Sequence, residues 1–408
     1  MANGLKMYHL PLLPVVKGDV AFFALLNIIP LIRQILIREH VDLCHGHFST
    51  SITMGMCLTV ANSMGLKTVA TEHTHFTYSE LGCINMNKMC KWYLKDIDAA
   101  ICVSHACKDN FTLRAKVNPF NCFTIPNAVD TNKFSPNPGL RYPLNKINIV
   151  CISRLTMRKG IDFLVDIIPE VLAVHPNAHF IIGGDGEKTP LLRQLISKFG
   201  LENSVELLGG VPHDKVRYAL NRGHIFLNTS LTESFCLSML EAASCGLLVV
   251  STDVGGVPEV LPPGMAYLAK PDAKSLTEQL FKAIQDYDKV SCSEMHQIVK
   301  NMYSWRQVAE RTERVYNFIM EKPVMNSFNR LKSNFSWGPV VGLFAVIYQV
   351  LEFILFRLTE WFFPESEIDI PRNFNANQYV MNPHKFGDHE FRVNSLAKAY
   401  DLQLPPRQ

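Results

Sequence analysis

The sequence predicts an α/β protein of two Rossmann-like lobes followed by one membrane-spanning helix near the C-terminus. Short β-branched runs alternate with helical patterns in the first third of the chain and again from Ile147 onward. That alternation is typical of βαβ units that form a parallel sheet. A segment rich in proline and asparagine, 136–143, separates the two series, and 338–356 is almost wholly apolar.

The composition is that of a globular protein with sizeable cores. The chain has 408 residues, of which 48% are hydrophobic, and this length accommodates two ordinary domains and additional segments. Its net charge of +3 gives no argument for a nucleic acid partner. The 11 cysteines are scattered and form no C-x-x-C pair, which indicates a reducing compartment without a disulfide framework or structural zinc.

These patterns divide the chain into five predicted segments. They are a first lobe 1–143, a second lobe 144–322, a linker 323–336, a membrane helix 337–363 and a tail 364–408. In the first lobe we predict a strand over 5–10 and a long apolar helix over 19–40. In the second lobe we predict strands over 147–153, 179–184, 204–209, 224–228 and 247–251, and a closing helix over 305–320.

The stretch from Glu233 to Glu241, E-S-F-C-L-S-M-L-E, carries two acids eight positions apart. A strand precedes it at 225–228, and a helix is predicted over about 235–245. Gly246 follows as the expected helix stop before the next β-branched run. Eight residues correspond to about 12 Å of helical rise. The two acids are therefore expected at different depths along one site.

The start of this predicted helix suits an anion. The backbone N–H groups of Ser234, Phe235 and Cys236 would have no partner within the helix and are free to hold a diphosphate. Glu233 would then face a sugar, and Glu241 would face the ribose behind the phosphates. Two acids at this spacing also fit a solvated helix face, so the motif needs support from elsewhere in the chain.

A basic loop some eighty residues earlier supplies that support. The sequence S-R-L-T-M-R-K-G, with Arg154 and Lys159, follows the strand 147–153, and a helix is predicted to begin near Gly160. Basic side chains at the carboxyl end of a parallel strand suit a phosphate ligand. Gly184, in the G-G-D-G that follows another strand, fits either a glycine-dependent turn or close approach of the backbone to a ligand.

The apolar run 338–356 would reach about 28 Å as a helix, which is enough to cross a bilayer. Tryptophan and phenylalanine flank it like interfacial aromatic residues, and the basic flank before it indicates that the preceding lobes stay cytosolic. Gln349 and Glu352 are unfavourable in lipid and are expected to face a partner helix. A buried or interfacial helix is the alternative interpretation.

Four motifs in this order, R-L-T-M-R-K-G, G-G-D-G, E-S-F-C-L-S-M-L-E and V-G-G-V-P-E, resemble the nucleotide-sugar lobe of retaining GT-B glycosyltransferases. The segments H-I-F-L-N-T-S-L-T-E-S-F-C, H-x-H, T-E-H and I-P-N-A-V-D, with the C-terminal span, resemble the family of catalytic subunits of phosphatidylinositol N-acetylglucosaminyltransferase over about residues 5–365. The resemblance implies the GT-B fold, with its two lobes and a cleft between them.

The resemblance also implies an activity. It is the transfer of N-acetylglucosamine from UDP-N-acetylglucosamine (UDP-GlcNAc) to phosphatidylinositol, the first step of GPI-anchor synthesis, on the cytosolic face of the endoplasmic reticulum membrane. Other membrane subunits are the expected partners, and the mechanism implied is front-face transfer in which the leaving phosphate helps to deprotonate the acceptor. No metal or other cofactor is expected.

Residue roles follow from the same resemblance. Arg154 and Lys159 would hold the donor diphosphate and stabilise the charge of the leaving group. Glu241 would accept hydrogen bonds from the ribose, and Glu233 would contact the transferred sugar. His73, in T-E-H-T, matches the histidine that the family places near the donor sugar and the acceptor.

Three alternatives stay open at this point. His45, His47, His73 and His75 would share strand faces as a metal cluster, although no nearby carboxylate or cysteine pattern completes a site. Asp96-Ile97-Asp98 resembles a metal-holding D-x-D, although capping or solvent exposure suits its place before a strand. A polymerase of the glycogen-synthase type fits the second lobe but not the membrane helix.

A further alternative concerns the whole protein. The family opens with a strand and a glycine-rich loop, whereas this chain begins at M-A-N-G, which we interpret as lying past that unit. We therefore expect an incomplete first lobe. The corresponding alternative function is a weakly active or non-catalytic nucleotide-sugar-binding isoform within a membrane complex.

Overall fold

The computed structural model divides the chain into two compact units. One unit is Leu43–Arg330, and the other combines Met1–Asp42 with Leu331–Gln408. The residues that the structure describes are 6–8, 10, 14–16, 19–20, 25–75, 87, 90–141, 146–325, 327–335 and 341–368. Both large sheets belong to the first of these units.

The first sheet has four parallel strands. They lie in the order β1 (Leu43–His47), β2 (Lys67–Glu72), β3 (Ala99–Cys102), β4 (Cys122–Thr124). Helix α1 (Ile52–Ser63) connects β1 to β2, and its N-cap Ser51 accepts a hydrogen bond from the Met54 amide. Helix α2 (His105–Ala115) follows β3 and is capped by Ser104. All residues of β2 and β3 are buried, as expected for inner strands of a parallel sheet.

The second sheet has six parallel strands in the order β10-β9-β8-β5-β6-β7. The strands are β5 (Ile147–Ile152), β6 (Ala178–Gly183), β7 (Val205–Gly209), β8 (Ile225–Asn228), β9 (Leu248–Thr252) and β10 (Ala266–Ala269). Strand numbers increase outward on both sides of the neighbouring strands β5 and β8. This pair is therefore the topological switch point of the sheet. Ligands bind beside such a point, at the carboxyl ends of the strands.

Helices cover this second sheet on both sides and close its core. They are α3 (Leu164–Val174), α4 (Thr189–Phe199), α5 (Val216–Asn221), α6 (Leu237–Ser244), α7 (Ala273–Asp286) and α8 (Cys292–Met302). Helix α9 (Trp305–Met320) packs instead on the first sheet, where Val315 and Ile319 share a core with Val69 and Ile101. Ile149 and Val150, neighbours on β5, are fully buried in two different clusters, which together contain the buried apolar side chains of this sheet. Burial on both faces explains the continuous apolar character of the strands.

The predicted pattern of two parallel α/β lobes is confirmed. Each of the five strands predicted in the second lobe is present, and the closing helix over 305–320 is confirmed as α9. The short strands β4 and β10 are not among the predicted elements. The helix predicted to begin near Gly160 is present. A 3₁₀ turn over Ile161–Phe163 leads directly into α3 at Leu164, and Gly160, with φ +64°, lies just before it.

The second unit differs from the prediction at its N-terminal part. Lys6, Met7, Tyr8 and Leu10 are not in a strand, so the strand predicted over 5–10 is wrong for these described residues. The predicted helix over 19–40 is shorter, Leu25–Arg38, because Asp19–Val20 pairs antiparallel with Pro14–Val16 and is extended.

The apolar run near the C-terminus forms the helix Val341–Phe362. Within it, Gly342–Phe362 is long and apolar enough to cross a membrane, and it is the one such helix among the described residues. Gln349 accepts a hydrogen bond from the Asn334 side chain of the same unit. The aromatic flank Trp337, the predicted helix start at 337–340 and the tail from 369 lie outside the described residues, and the five segment boundaries stay predictions.

Two glycines offer a matched test of why the basic loop needs glycine. Both have left-handed backbones, with φ +64° at Gly160 and +62° at Gly200. A Cβ at Gly160 would lie 1.9 Å from the carbonyl oxygen of Thr229, whereas a Cβ at Gly200 meets nothing within 4 Å. We expect Gly200→Ala to cost about 1 kcal/mol of stability and Gly160→Ala about 3 kcal/mol.

The measurement is the midpoint of thermal unfolding of both variants in detergent. Gly160→Ala should lower the midpoint by clearly more than Gly200→Ala. Equal midpoints would contradict the close packing of the basic loop on the chain after β8.

Candidate active site

The β5–β8 pair brings the basic loop and the acidic motif together. Ile149 and Val150 of β5 are in register with Ile225 and Phe226 of β8, so both strands end at the same edge of the sheet. The chain after β5 leads into S-R-L-T-M-R-K-G, and the chain after β8 leads into T-S-L-T-E-S-F-C. Two motifs that lie far apart in the sequence are thus neighbours in the fold.

Backbone contacts hold the two loops against each other. The Thr229 hydroxyl donates to the carbonyl oxygen of Lys159 at 2.7 Å. The amide of Leu231 donates to the carbonyl oxygen of Arg158 at 2.9 Å. These bonds fix the position of the Lys159 backbone beside the acidic motif. They leave the ammonium group of Lys159 free to make other contacts.

Lys159 and Glu233 form an ion pair at the mouth of the crevice. The side chains are 22% and 12% exposed, so the pair is partly shielded from water. Ser230 donates to the same Glu233 carboxylate at 2.8 Å and is itself buried. Because an ammonium group has three donors, Lys159 can keep this contact and still reach a phosphate.

The loop between Glu233 and the helix presents a run of amide donors. Helix α6 begins at Leu237, two residues later than predicted, because Cys236 has φ +66° and ends the preceding loop. Within the described part of the chain, no acceptor meets the N–H groups of Ser234, Phe235 or Cys236. Three such donors beside a lysine suit the oxygens of a diphosphate.

The G-G-D-G turn packs directly under the basic loop. Gly184 has φ +134°, and a Cβ there would lie 1.8 Å from the carbonyl oxygen of Ser153. The amide of Leu155 donates to the carbonyl oxygen of Asp185 at 2.9 Å. Close packing of backbone on backbone therefore accounts for the glycine, and its contact with a ligand stays a prediction. The Arg154 side chain is exposed and has no hydrogen bond or ion pair with any described residue.

Glu241 lies one turn into α6 and is mostly buried. Burial raises its pKa to about 7, and the opposing positive charge of Lys133 lowers it in part. His213 Nε2 is 3.7 Å from the carboxylate, and His213 Nδ1 is 2.9 Å from the Lys133 ammonium. Among the described residues the Glu241 carboxylate is thus an acceptor short of hydrogen bonds, which suits the hydroxyl groups of a ribose.

His73 follows β2 of the first lobe and contacts this motif. Its Nε2 is 3.0 Å from Nδ1 of His47, and its ring stacks on His47 at 5.3 Å and packs on Phe48 at 4.8 Å. Burial, together with His47, lowers the pKa of His73 to about 4, so the imidazole is neutral at pH 7. The Ser234 hydroxyl donates to the carbonyl oxygen of His73. This bond ties His73 to the loop 233–236, which we call the donor loop after its amide donors.

The other histidines have structural partners. His45 is 2.6 Å from the Tyr316 hydroxyl and 2.7 Å from Thr71 Oγ1, and burial lowers its pKa to about 4. His75 Nε2 is 3.3 Å from the Asn110 amide. Among the described residues, no group of three His, Cys, Asp or Glu side chains is arranged to hold a metal.

The D-x-D motif is used within the first sheet. Asp98 accepts hydrogen bonds from the amide of Thr68 at 2.8 Å and from its hydroxyl at 3.1 Å. Its other carboxylate oxygen is 3.5 Å from the Lys67 ammonium. These contacts give Asp98 a structural role beside the neighbouring strand β2, which is neither the helix cap nor the solvent exposure that the sequence suggested.

Four residues near the site were not assigned roles from the sequence. Ser230 supports Glu233, Lys133 and His213 lie beside Glu241, and Glu259 contacts the first lobe. Glu259 stands in the quoted motif V-G-G-V-P-E, which was a usable signal. Nothing local in the sequence marks Lys133, since it lies in the connection between the lobes.

Comparisons with known proteins identify the family and the fold. A family model described as "Glycosyl transferases group 1" matches residues 146–286, and one described as "PIGA (GPI anchor biosynthesis)" matches residues 1–80. A phosphatidylinositol N-acetylglucosaminyltransferase subunit from Arabidopsis thaliana is 44% identical over 90% of this chain and 82% of its own length. The gpi3 subunit of the same enzyme in Schizosaccharomyces pombe is 42% identical over 90% and 81%. The corresponding Homo sapiens protein is 42% identical over 93% and 80%.

Solved structures share the fold. The crystal structure of Anabaena Alr3699/HepE in complex with UDP superposes with a TM-score of 0.62 at 20% identity. The match covers 71% of this chain and 82% of that one. The predicted GT-B fold of two α/β lobes is thereby confirmed.

The assignment of the second lobe as the donor lobe makes a binding prediction. If the expected roles are right, Lys159→Ala would remove a charge-assisted phosphate contact, and Glu241→Ala would remove the acceptor for the ribose hydroxyls. Each should weaken UDP binding by about tenfold or more, measured by calorimetry. Glu202→Ala is the matched control, because Glu202 is exposed in the same lobe and has no side-chain hydrogen bond or ion pair with a described residue. Unchanged affinity in both site variants would refute the assignment.

The pKa of Glu241 predicts a pH dependence of donor binding. In the expected role, only the ionised Glu241 carboxylate could accept from both ribose hydroxyls. Its raised pKa of about 7 means that, without ligand, Glu241 is mostly protonated below that pH. Affinity for UDP-GlcNAc should be constant above pH 7 and fall toward tenfold per pH unit below it. Glu241→Gln should bind weakly and without this dependence between about pH 5.5 and 8. A similar slope in Glu241→Gln would assign the titration to another group.

Proposed function

The chain belongs to the family of phosphatidylinositol N-acetylglucosaminyltransferase subunits that these relatives represent, and from that membership we propose that it transfers N-acetylglucosamine from UDP-GlcNAc to phosphatidylinositol. It is a glycosyltransferase of the GT-B fold. The reaction proposed is the first step of GPI-anchor biosynthesis, and the relatives are named as subunits of the enzyme that the proposal concerns.

The observation that carries the proposal is the arrangement at the β5–β8 edge. Lys159, paired with Glu233, lies beside the amides of 234–236, which meet no acceptor among the described residues. In the proposed complex these amides and Lys159 bind the diphosphate, with Arg154 as a second cation from the same loop. Glu233 then contacts the sugar, and Glu241 binds the ribose.

The proposed chemistry proceeds on one face of the sugar. The bond between C1 and the β-phosphate oxygen breaks, and a bond forms between C1 and an inositol hydroxyl oxygen. The hydroxyl proton passes to the leaving phosphate, whose negative charge Lys159 and Arg154 offset. A removed donor of this kind typically costs about 10²–10³ in rate, or 3–4 kcal/mol.

His73 has a supporting role in this proposal. Its Nε2 is engaged by His47, whereas no described residue meets Nδ1. A neutral imidazole with one open nitrogen can exchange a hydrogen bond with the donor sugar or the acceptor hydroxyl. The hydrogen bond from Ser234 to the carbonyl oxygen of His73 supports this role of His73, because it links the histidine to the donor loop.

The proposed location is the endoplasmic reticulum membrane, with both lobes in the cytosol and other membrane subunits as partners. The helix Gly342–Phe362 supports anchoring by its length and composition. Alkaline carbonate should then fail to extract the full chain. Protease added outside sealed microsomes should digest the segment 43–330, and protection of that segment would contradict the orientation.

The function is tested in cells that lack their own enzyme of this family. Expression of this chain should restore GPI-anchored protein at the surface, and microsomes should incorporate sugar from labelled UDP-GlcNAc into phosphatidylinositol. UDP-glucose and UDP-N-acetylgalactosamine serve as competing donors. Incorporation from one of these in preference to UDP-GlcNAc, or into another lipid, would overturn the proposal.

His73→Ala tests the histidine within that assay. We expect the rate of transfer to fall by about 10²-fold, with UDP affinity nearly unchanged, because the side chain acts on the reacting groups and not on the nucleotide. Asp109→Ala is the control, because Asp109 is exposed in the same lobe and its side chain has no hydrogen bond or ion pair with a described residue. A normal rate in His73→Ala would leave the residue a purely structural role.

A further inference from the structure

Glu259 reaches from the second lobe to cap a helix of the first lobe. We propose that it is a positioning residue, which holds the two lobes together so that His73 stays against the donor loop. The inference rests on the proposed function, because it assigns a purpose to closure around that site. Glu259 itself touches neither the predicted donor residues nor His73.

The contact is a two-pronged cap on α2. The two carboxylate oxygens of Glu259 accept from the amides of His105 at 2.7 Å and Ala106 at 2.8 Å. The third amide of that turn, from Cys107, donates to the hydroxyl of Ser104 at 3.0 Å. The first turn of α2 has no acidic residue of its own. The negative charge that a helix N-terminus favours is therefore supplied by the other lobe.

The same turn is linked to the donor loop and then to His73. The hydroxyl of Ser104 donates to the carbonyl oxygen of Ser234 at 2.6 Å. The hydroxyl of Ser234 in turn donates to the carbonyl oxygen of His73. Movement of α2 away from the second lobe would break this chain of hydrogen bonds and separate His73 from the amides of the donor loop.

The loop that carries Glu259 is packed rigidly on the donor loop. The amide of Gly256 donates to the carbonyl oxygen of Glu233 at 3.0 Å. A Cβ at Gly256 would lie 2.1 Å from the carbonyl oxygen of Ser234 and 2.5 Å from the hydroxyl of Ser104. A shift of the donor loop would therefore move the loop that carries Glu259. Because Glu259 caps α2, that shift would also move α2 of the first lobe.

The cap is placed where it can open. Glu259 and His105 are exposed, so water replaces the lost hydrogen bonds when the lobes separate. A cap whose hydrogen bonds contribute only a small net free energy of closure suits a site that must close on two substrates and then release products.

The test compares Glu259→Ala, Glu259→Gln and the control Glu202→Gln in the full chain. Hydrogen exchange of peptides that cover residues 103–108 should speed up about tenfold in Glu259→Ala and less in Glu259→Gln, because an amide oxygen still accepts one bond. Transfer should slow about tenfold in kcat in Glu259→Ala, with partial rescue in Glu259→Gln and UDP affinity within about threefold. Glu202→Gln should change neither quantity.

Three results would overturn the proposal. They are unchanged exchange in both Glu259 variants, an unchanged transfer rate, or a loss of UDP affinity as large as the loss of rate. The exchange measurement needs no activity. Absence of transfer in the unmodified chain would therefore refute the proposed function while exchange still decides whether Glu259 caps α2.

Discussion

The parallel pairing of β5 with β8 is the constraint on which the site depends. Strand order reverses at this pair, so the loops that follow the two strands diverge and leave a crevice at the sheet edge. One loop carries Lys159 and the other carries Glu233, and the bond from Thr229 to the carbonyl oxygen of Lys159 fixes their relative height. A positive and a negative side chain therefore meet beside the donor-loop amides because of topology, not because of local sequence.

The two acids of the motif are placed in different electrical surroundings. Glu233 has Lys159 and Ser230 as partners, so its charge is compensated before any ligand arrives. Glu241 is buried beside His213 and Lys133 at longer range, and its pKa rises to about 7. One acid is thus kept ready as part of a charged pair, and the other gains most from a ligand that supplies hydroxyl donors.

The periodicity of the sequence predicted the architecture well because the inner strands are buried on both faces. It could not predict contacts between residues that lie far apart in the chain. Strand β8 is buried at all four residues, and three of them are apolar, a pattern that the sequence shows directly. The short edge strand β10 is only half-buried and carries no comparable signal. Periodicity indicated the helix that begins beside Gly160, but it could not show that this glycine is left-handed and packs against Thr229, far along the chain. The same holds for the site. Lys159 and Glu233 could be grouped from the sequence because the parallel strands before them end at one edge of the sheet. The cap that Glu259 places on α2 could not be predicted, because it depends on how the two lobes meet.

The state of the histidines bears on where the proton goes in the proposed reaction. His73 and His45 both have pKa values lowered to about 4, mainly by burial and further by neighbouring histidines. An imidazole with such a pKa is a weak base for a sugar hydroxyl at pH 7. In the proposed complex the leaving phosphate would be held by cations, but it would become more basic as its bond to C1 breaks. We therefore infer that His73 orients the reacting groups through a neutral hydrogen bond, while the phosphate takes the proton.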